Sequence, residues 1–296
     1  MIPALSTFLV DALQSPSTQW QLREIAQISR LHVPEQLFGG RQELLRCDIH
    51  QIWARWFLES LCDPERFADA KRPIGYAFLY ADVLDLMNSL LGDIPYDERC
   101  TAARAVTGLL SDEIDRRSSI RGRSRHDRET RLALVDTVWP DVRCWICGYR
   151  FTDSAIRHFR DGRRSTSADP LPRFIDCFKP SGLQVHDRDI EMDHVIAFAS
   201  GGRERENLAL SCGWCNRHKG AFTSLYDQAL APKLFRHPGG EVISVPRPFW
   251  VVRLLATRQR CEFAGGCTCS TKNCELTVML RNPLGAANPT NLTIVC

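Results

Sequence analysis

No run of eighteen apolar residues occurs in this chain, so no segment is long enough to cross a bilayer as a helix. The most apolar stretch, Ile74 to Leu91, is interrupted by Asp82 and Asp85 at helical spacing, as in a soluble amphipathic helix. The first residues, Met1-Ile2-Pro3-Ala4-Leu5, carry no basic residue and no small-residue cleavage site, so no secretory leader is expected. These absences predict a soluble, cytoplasmic protein that does not engage membranes. A disulfide framework is not expected either. Thirteen cysteines are present, but nine of them fall into two C-x-x-C pairs and a dense C-terminal group, which suits metal ligation in a reducing compartment.

The formal net charge of +3 hides an asymmetry. Residues 1–115 hold 10 Lys and Arg against 17 Asp and Glu, a net of −7, whereas residues 116–296 hold 28 against 18, a net of +10. An arginine-rich half suits a polyanionic partner, because each guanidinium can fork onto a phosphate and release counterions. The densest run, Arg116 to Arg131, holds seven arginines; Arg121, Arg123 and Arg125 lie among serines and a glycine and read as a phosphate-contacting arm. A solvated interdomain helix is the alternative for this run.

The acidic first third has a helical pattern. Leu44, Leu45, Ile49, Ile52, Trp53, Trp56, Phe57 and Leu61 recur at three- and four-residue steps and predict one apolar stripe on a long helix. Similar stripes cover Trp20–Leu31 and Ala77–Leu91, with breaks at Asp63-Pro64 and Lys71-Arg72-Pro73. Four or five packed helices follow from this, serving either as a partner-binding or regulatory domain or in a purely structural role.

The chemistry is concentrated between Cys144 and Gly220. Cys144-Trp-Ile-Cys147 and Cys212-Gly-Trp-Cys215 give four thiolates on two tight turns, the closed tetrahedral set that structural zinc takes. Zinc at such a site contributes folding free energy directly. Phe151 to Val185 reads as an insertion, with a helix near Asp153–Arg160 and a proline-rich loop. Alternation from Met192 to Ala197, then Gly201-Gly202, then Asn207-Leu-Ala-Leu predicts a hairpin, and Cys215 to Gly220 and beyond predicts a helix. The unit is therefore strand, strand, helix.

Asp193-His194, Gly201-Gly202, Asn207-Leu208, Cys212-x-x-Cys215-Asn216 and Lys219-Gly220, in this order and spacing, resemble the HNH endonuclease family. The resemblance implies a ββα-metal nuclease that hydrolyses DNA phosphodiester bonds with one divalent ion, Mg²⁺ or Mn²⁺, leaving a 5′-phosphate and a 3′-hydroxyl. His194 matches the general base of the family, a role suited to neutral imidazole. Asp193 and Asn216 match the oxygen ligands of the catalytic ion. Asn207 matches the residue that ties down the inter-strand loop and so orients His194. His218 corresponds to a further metal ligand in some members and is unused in others. Helical geometry turns it about 200° from Asn216, so the two cannot both face one ion from a regular helix. His218 or Lys219 is then expected at phosphate, with Arg203, Arg205 and Arg217 as further phosphate contacts.

The C-terminal part echoes this unit. Asn291-Leu-Thr-Ile-Val-Cys296 repeats Asn207-Leu-Ala-Leu-Ser-Cys212, and Arg260-Cys261 to Cys267 echoes Arg143-Cys144 to Cys147. No Asp-His pair occurs there, so this copy is not expected to cleave. A degenerate treble-clef-like unit with a second zinc drawn from Cys261, Cys267, Cys269, Cys274 and Cys296 is one reading, and scattered free thiols the other.

The expected fold class is α+β: a helical domain over 1–120, a central ββα-metal domain with structural zinc over 121–225, and a small zinc-like unit over 226–296. The expected function is DNA cleavage by an HNH endonuclease, with a protein partner at the acidic helical domain if the chain is a subunit of a bacterial defence or restriction system. The rival is a zinc-stabilised nucleic-acid-binding module that does not cleave.

Overall fold

A computed structural model describes residues 2–13, 21–68, 74–120, 128–163, 184–195, 207–236, 239, 242–263 and 265–296. In chain order the elements are α1 (Ile2–Leu13), α2 (Leu22–Ser29), α3 (Gln42–Leu61), α4 (Glu65–Ala68), α5 (Tyr76–Leu90), α6 (Tyr96–Ile120), α7 (Arg128–Val138) and α8 (Asp153–Arg160). They are followed by β1 (Ile190–His194), β2 (Leu208–Cys212), α9 (Gly213–Lys219), β3 (Lys233–Arg236), β4 (Val242–Val245), α10 (Pro248–Arg258), β5 (Thr277–Leu280) and β6 (Leu292–Val295). Among the described residues, the sheets are three separate antiparallel pairs of strands. Helix and sheet are thus mixed, as the sequence predicts. Among the described residues, no helix is long and apolar enough to cross a membrane.

Local chemistry accounts for the element ends. The Thr152 side chain accepts the Ala155 N–H and opens α8, whose Ala155, Ile156 and Phe159 form its buried face. Pro248 opens α10, and left-handed Gln259 (φ 54°) closes it. α10 buries Phe249, Trp250, Val251, Val252, Leu254 and Leu255, so it is apolar nearly all round and lies inside the molecule. α9 begins at Gly213, two residues earlier than the sequence suggests, because the chain passes from β2 into the helix at Cys212 without a loop.

Two main apolar clusters result. Leu79, Val83 and Met87 of α5 meet Ala103, Leu110 and Ile114 of α6. The larger cluster runs from Val135 through the four cysteines of the C-x-x-C pairs, Ile190 and Leu210 to α10 and Val278, Leu292 and Ile294. The β1–β2 hairpin and the β5–β6 hairpin therefore share one core.

The α3 stripe is only partly buried. Trp53, Trp56 and Phe57 are 60%, 63% and 48% exposed, whereas Leu44 and Leu45 face inward. The helix is instead seated by polar groups that are fully buried. Asp48 accepts the Leu225 N–H at 2.9 Å and the Arg253 guanidinium at 2.7 Å. Arg41, just before α3, places Nη1 and Nη2 on the two carboxylate oxygens of Glu262 at 2.6 Å each and Nη2 on the Leu292 carbonyl at 2.9 Å.

These anchors predict unequal costs. Asp48→Ala strands a guanidinium and a backbone N–H and should cost about 3 kcal/mol in urea unfolding. Glu43→Ala removes only a partly exposed pair with Arg258 and should cost less than about 1 kcal/mol. Equal costs would show that Asp48 is not an anchor.

Candidate active site

The site is built on a clamp of four thiols. Cys144 and Cys147 sit on a turn closed by Cys144 N–H to Tyr149 O at 2.9 Å and Gly148 N–H to Cys144 O at 2.8 Å. Cys212 ends β2, and Cys215 lies in the first turn of α9. All four are buried, with their Sγ atoms within 4.8 Å of one another. Neighbouring thiols push Cys212 well above the usual thiol range, and burial followed by those neighbours does the same to Cys215. A closed, buried set of four sulfurs fits zinc.

The clamp carries Trp145 between its first two cysteines. The Trp145 N–H donates to Leu210 O at 2.9 Å on β2. Its indole Nε1–H donates to Asp193 Oδ2 at 3.0 Å. Asp193 is 5% exposed, and its other oxygen accepts Lys219 Nζ at 2.8 Å; Lys219 also donates to the His194 carbonyl and lies over the Trp145 ring. Lys219, expected at phosphate, is 8% exposed and spent on this carboxylate. One turn of α9 requires it, since the residue four after Cys215 faces the same way into the core.

Strand alternation puts Glu191 on the same face of β1 as Asp193, toward α9. Glu191 Oε2 accepts Asn216 Nδ2 at 2.7 Å. A carboxylate can only accept, so the amide nitrogen must face Glu191, which turns Asn216 Oδ1 the other way as a hard oxygen donor. The sequence reading gave neither Glu191 nor Trp145 a role. The two-residue period of β1 was the available signal for Glu191; nothing local signals Trp145.

His194 is the last residue of β1, opposite Leu208, and leaves the strand on the side away from Asp193. It is half-buried, with Nε2 covered. The Val195 N–H donates to Asn207 O at 2.8 Å and closes the hairpin one residue beyond. His218 packs against Trp214 with the rings tilted by 58° and their centroids 4.7 Å apart, so it and Asn216 engage different neighbours, as helical geometry requires. Arg217 bonds His186 Nε2 at 2.9 Å and pairs with Asp187, yet remains partly exposed. Arg121, Arg123, Arg125, Arg203 and Arg205, and the Gly201-Gly202 turn, lie outside the described residues.

The C-terminal cysteines also converge. Cys261, Cys267 and Cys296 form one trio and Cys269, Cys274 and Cys296 another, each with Sγ atoms within 4.8 Å, so they too could hold a metal. All five thiols expected there from the sequence fall in these two trios.

Residues 177–222 match the family model described as HNH endonuclease. That family consists of metal-dependent nucleases, so the match supports nuclease activity and nucleic-acid binding in general terms. It covers β1, β2 and α9, the elements that carry the clamp's second pair, Asp193, His194, Asn207 and Asn216. Neither the curated proteins nor the solved structures compared with the chain gave a match.

Burial, then the charges of Arg217 and Lys233, push the His218 imidazole down to about 4 from 6.5. The unfolded chain therefore takes up this proton first, and the fold loses stability as pH falls from 6.5 toward about 4. Urea midpoints across that window should fall more steeply for the wild type than for His218→Gln. Identical slopes would place His218 in solvent.

Proposed function

We propose that the ββα unit is an endonuclease centre that hydrolyses phosphodiester bonds in DNA. The observation that carries this reading is that β1 and α9, braced by the four-thiol clamp, carry Asp193, His194 and Asn216, with the Asn216 amide fixed on Glu191.

Asp193 and Asn216 Oδ1 would hold one divalent ion, and a carboxylate with an amide oxygen suits Mg²⁺ or Mn²⁺. When bound, the ion supplies charge stabilisation at the phosphorus and at the departing 3′ oxygen. His194 takes a proton from water as the water oxygen bonds to phosphorus and the bond to the 3′ oxygen breaks. The products are a 5′-phosphate and a 3′-hydroxyl, the latter protonated from solvent. Trp145 and Glu191 are positioning residues, acting through Asp193 and Asn216. Arg217, partly exposed at the edge of α9, is the described cation best placed for a neighbouring phosphate. Arg121, Arg123, Arg125, Arg203 and Arg205 remain phosphate contacts in this proposal, and affinity should fall steeply with salt.

One observation favours a second reading. The Lys219 ammonium on Asp193 already compensates that carboxylate, which weakens its hold on a second cation. A zinc-stabilised DNA-binding module without cleavage is the consequence if that pairing persists with metal present. In either case the acidic helical segment is the proposed seat of a protein partner, as in a subunit of a bacterial defence or restriction system.

Supercoiled plasmid with Mg²⁺ or Mn²⁺ separates these readings. The wild type should nick it, and His194→Ala should lose about 100-fold or more while still retarding DNA in a gel. Retardation without nicking by either protein supports the binding module, and equal nicking by both removes His194 as the base. Glu191→Ala should raise the metal concentration needed for half-maximal nicking by about 10- to 100-fold, with the rate at saturating metal largely kept. An unchanged metal midpoint would show that Glu191 does not orient Asn216.

A further inference from the structure

The five C-terminal thiols repeat the clamp in backbone terms. Cys261 N–H donates to Cys269 O as Cys144 N–H donates to Tyr149 O. Glu262 N–H donates to Ile294 O at 2.8 Å, as Trp145 N–H donates to Leu210 O at 2.9 Å. Leu280 pairs with Leu292 as His194 pairs with Leu208, and Arg281 N–H donates to Asn291 O as Val195 N–H donates to Asn207 O. In this correspondence Cys261, Cys267 and Cys296 stand where Cys144, Cys147 and Cys212 stand. Met279-Leu280 replaces Asp193-His194, which leaves no oxygen ligand and no base.

A fourth sulfur is close by. Cys269 Sγ lies within 4.8 Å of Cys296 Sγ, and its carbonyl accepts the Cys261 N–H at 2.9 Å. Cys274 Sγ, within 4.8 Å of Cys269 and Cys296 but outside the trio of Cys261, Cys267 and Cys296, also donates to the Glu275 carbonyl at 3.3 Å.

This unit touches both of the others. Glu262, next to Cys261, takes both arms of buried Arg41, and the third Arg41 bond goes to Leu292 of β6. A Cβ on Gly39 would lie 1.9 Å from Thr290 O, so the chain leading to α3 is pressed against the turn before β6. On the other side, a Cβ on Gly148 would lie 2.0 Å from Cys274 O, and Leu276 N–H donates to Cys147 O at 2.6 Å. The loop between Cys269 and β5 is the floor of the first clamp.

We propose that Cys261, Cys267, Cys269 and Cys296 hold a second zinc ion, with Cys274 as a surplus thiol, and that this centre fastens the helical segment to the nuclease clamp. Its ligands order the residues on which Arg41 closes and the loop on which Cys147 rests. The proposal does not depend on cleavage, so it stands or falls separately from the function above.

Elemental analysis of the purified full chain should give two zinc per chain, two in Cys274→Ser and one in Cys267→Ser. Hydrogen exchange at the α3 amides from Leu45 to Ile49 should quicken by about tenfold or more in Cys267→Ser. It should quicken likewise in Arg41→Ala, which keeps both ions. One zinc in the wild type, two in Cys267→Ser, or iron in place of zinc overturns the site. Exchange at α3 unchanged after loss of the second zinc overturns its fastening role. If Cys267→Ser does not fold, stepwise chelation of the wild type gives the same decision: α3 exchange must rise as the first zinc leaves.

Discussion

Trp145 transmits the geometry of the thiol clamp to the candidate centre. It lies between two cysteines whose positions a bound ion would fix, its backbone is tied to β2, and its indole holds Asp193. A carboxylate 5% exposed needs partners for both oxygens, and here they come from the indole and from Lys219. Both partners sit on elements that the clamp positions, Trp145 within the first cysteine pair and Lys219 one turn after Cys215. Loosening the clamp would therefore release the carboxylate as well as the fold. In the proposed centre, an ion in the clamp would thus be coupled to Asp193 without touching substrate.

The same economy of position governs Asn216. A short helix beginning inside the clamp presents its amide to β1, and Glu191 fixes which way the amide faces. The oxygen available to a cation is set by a hydrogen bond that itself binds no cation, the usual work of groups behind a metal ligand. His194 stands at the last paired position of β1, opposite Leu208.

Beyond the centre, buried ion pairs rather than apolar stripes join the parts of the chain. Arg41 with Glu262 and Asp48 with Arg253 are deeply placed, and each also satisfies or borrows a backbone group. Such pairs specify one docking geometry, because any shift leaves a charge uncompensated in the interior. Trp53, Trp56 and Phe57, which an amphipathic reading places inside, are left at the surface because these polar anchors, and not the aromatic stripe, decide how α3 is rotated.

Sequence alone determined what depends on short separations: the first thiol pair on its turn, the pairing of Met192 with Leu210, α8 between Asp153 and Arg160, and the absence of an Asp-His pair from the C-terminal echo. Turn chemistry and strand or helix period act over a few residues, so they can be read directly. Tertiary structure decided which groups meet across long separations. Lys219 came to rest on Asp193 rather than at the surface, Glu191 on Asn216, and Arg41 on Glu262, 221 residues away. No local pattern encodes those encounters, because burial chooses a charge's partner only when the chain has folded around it.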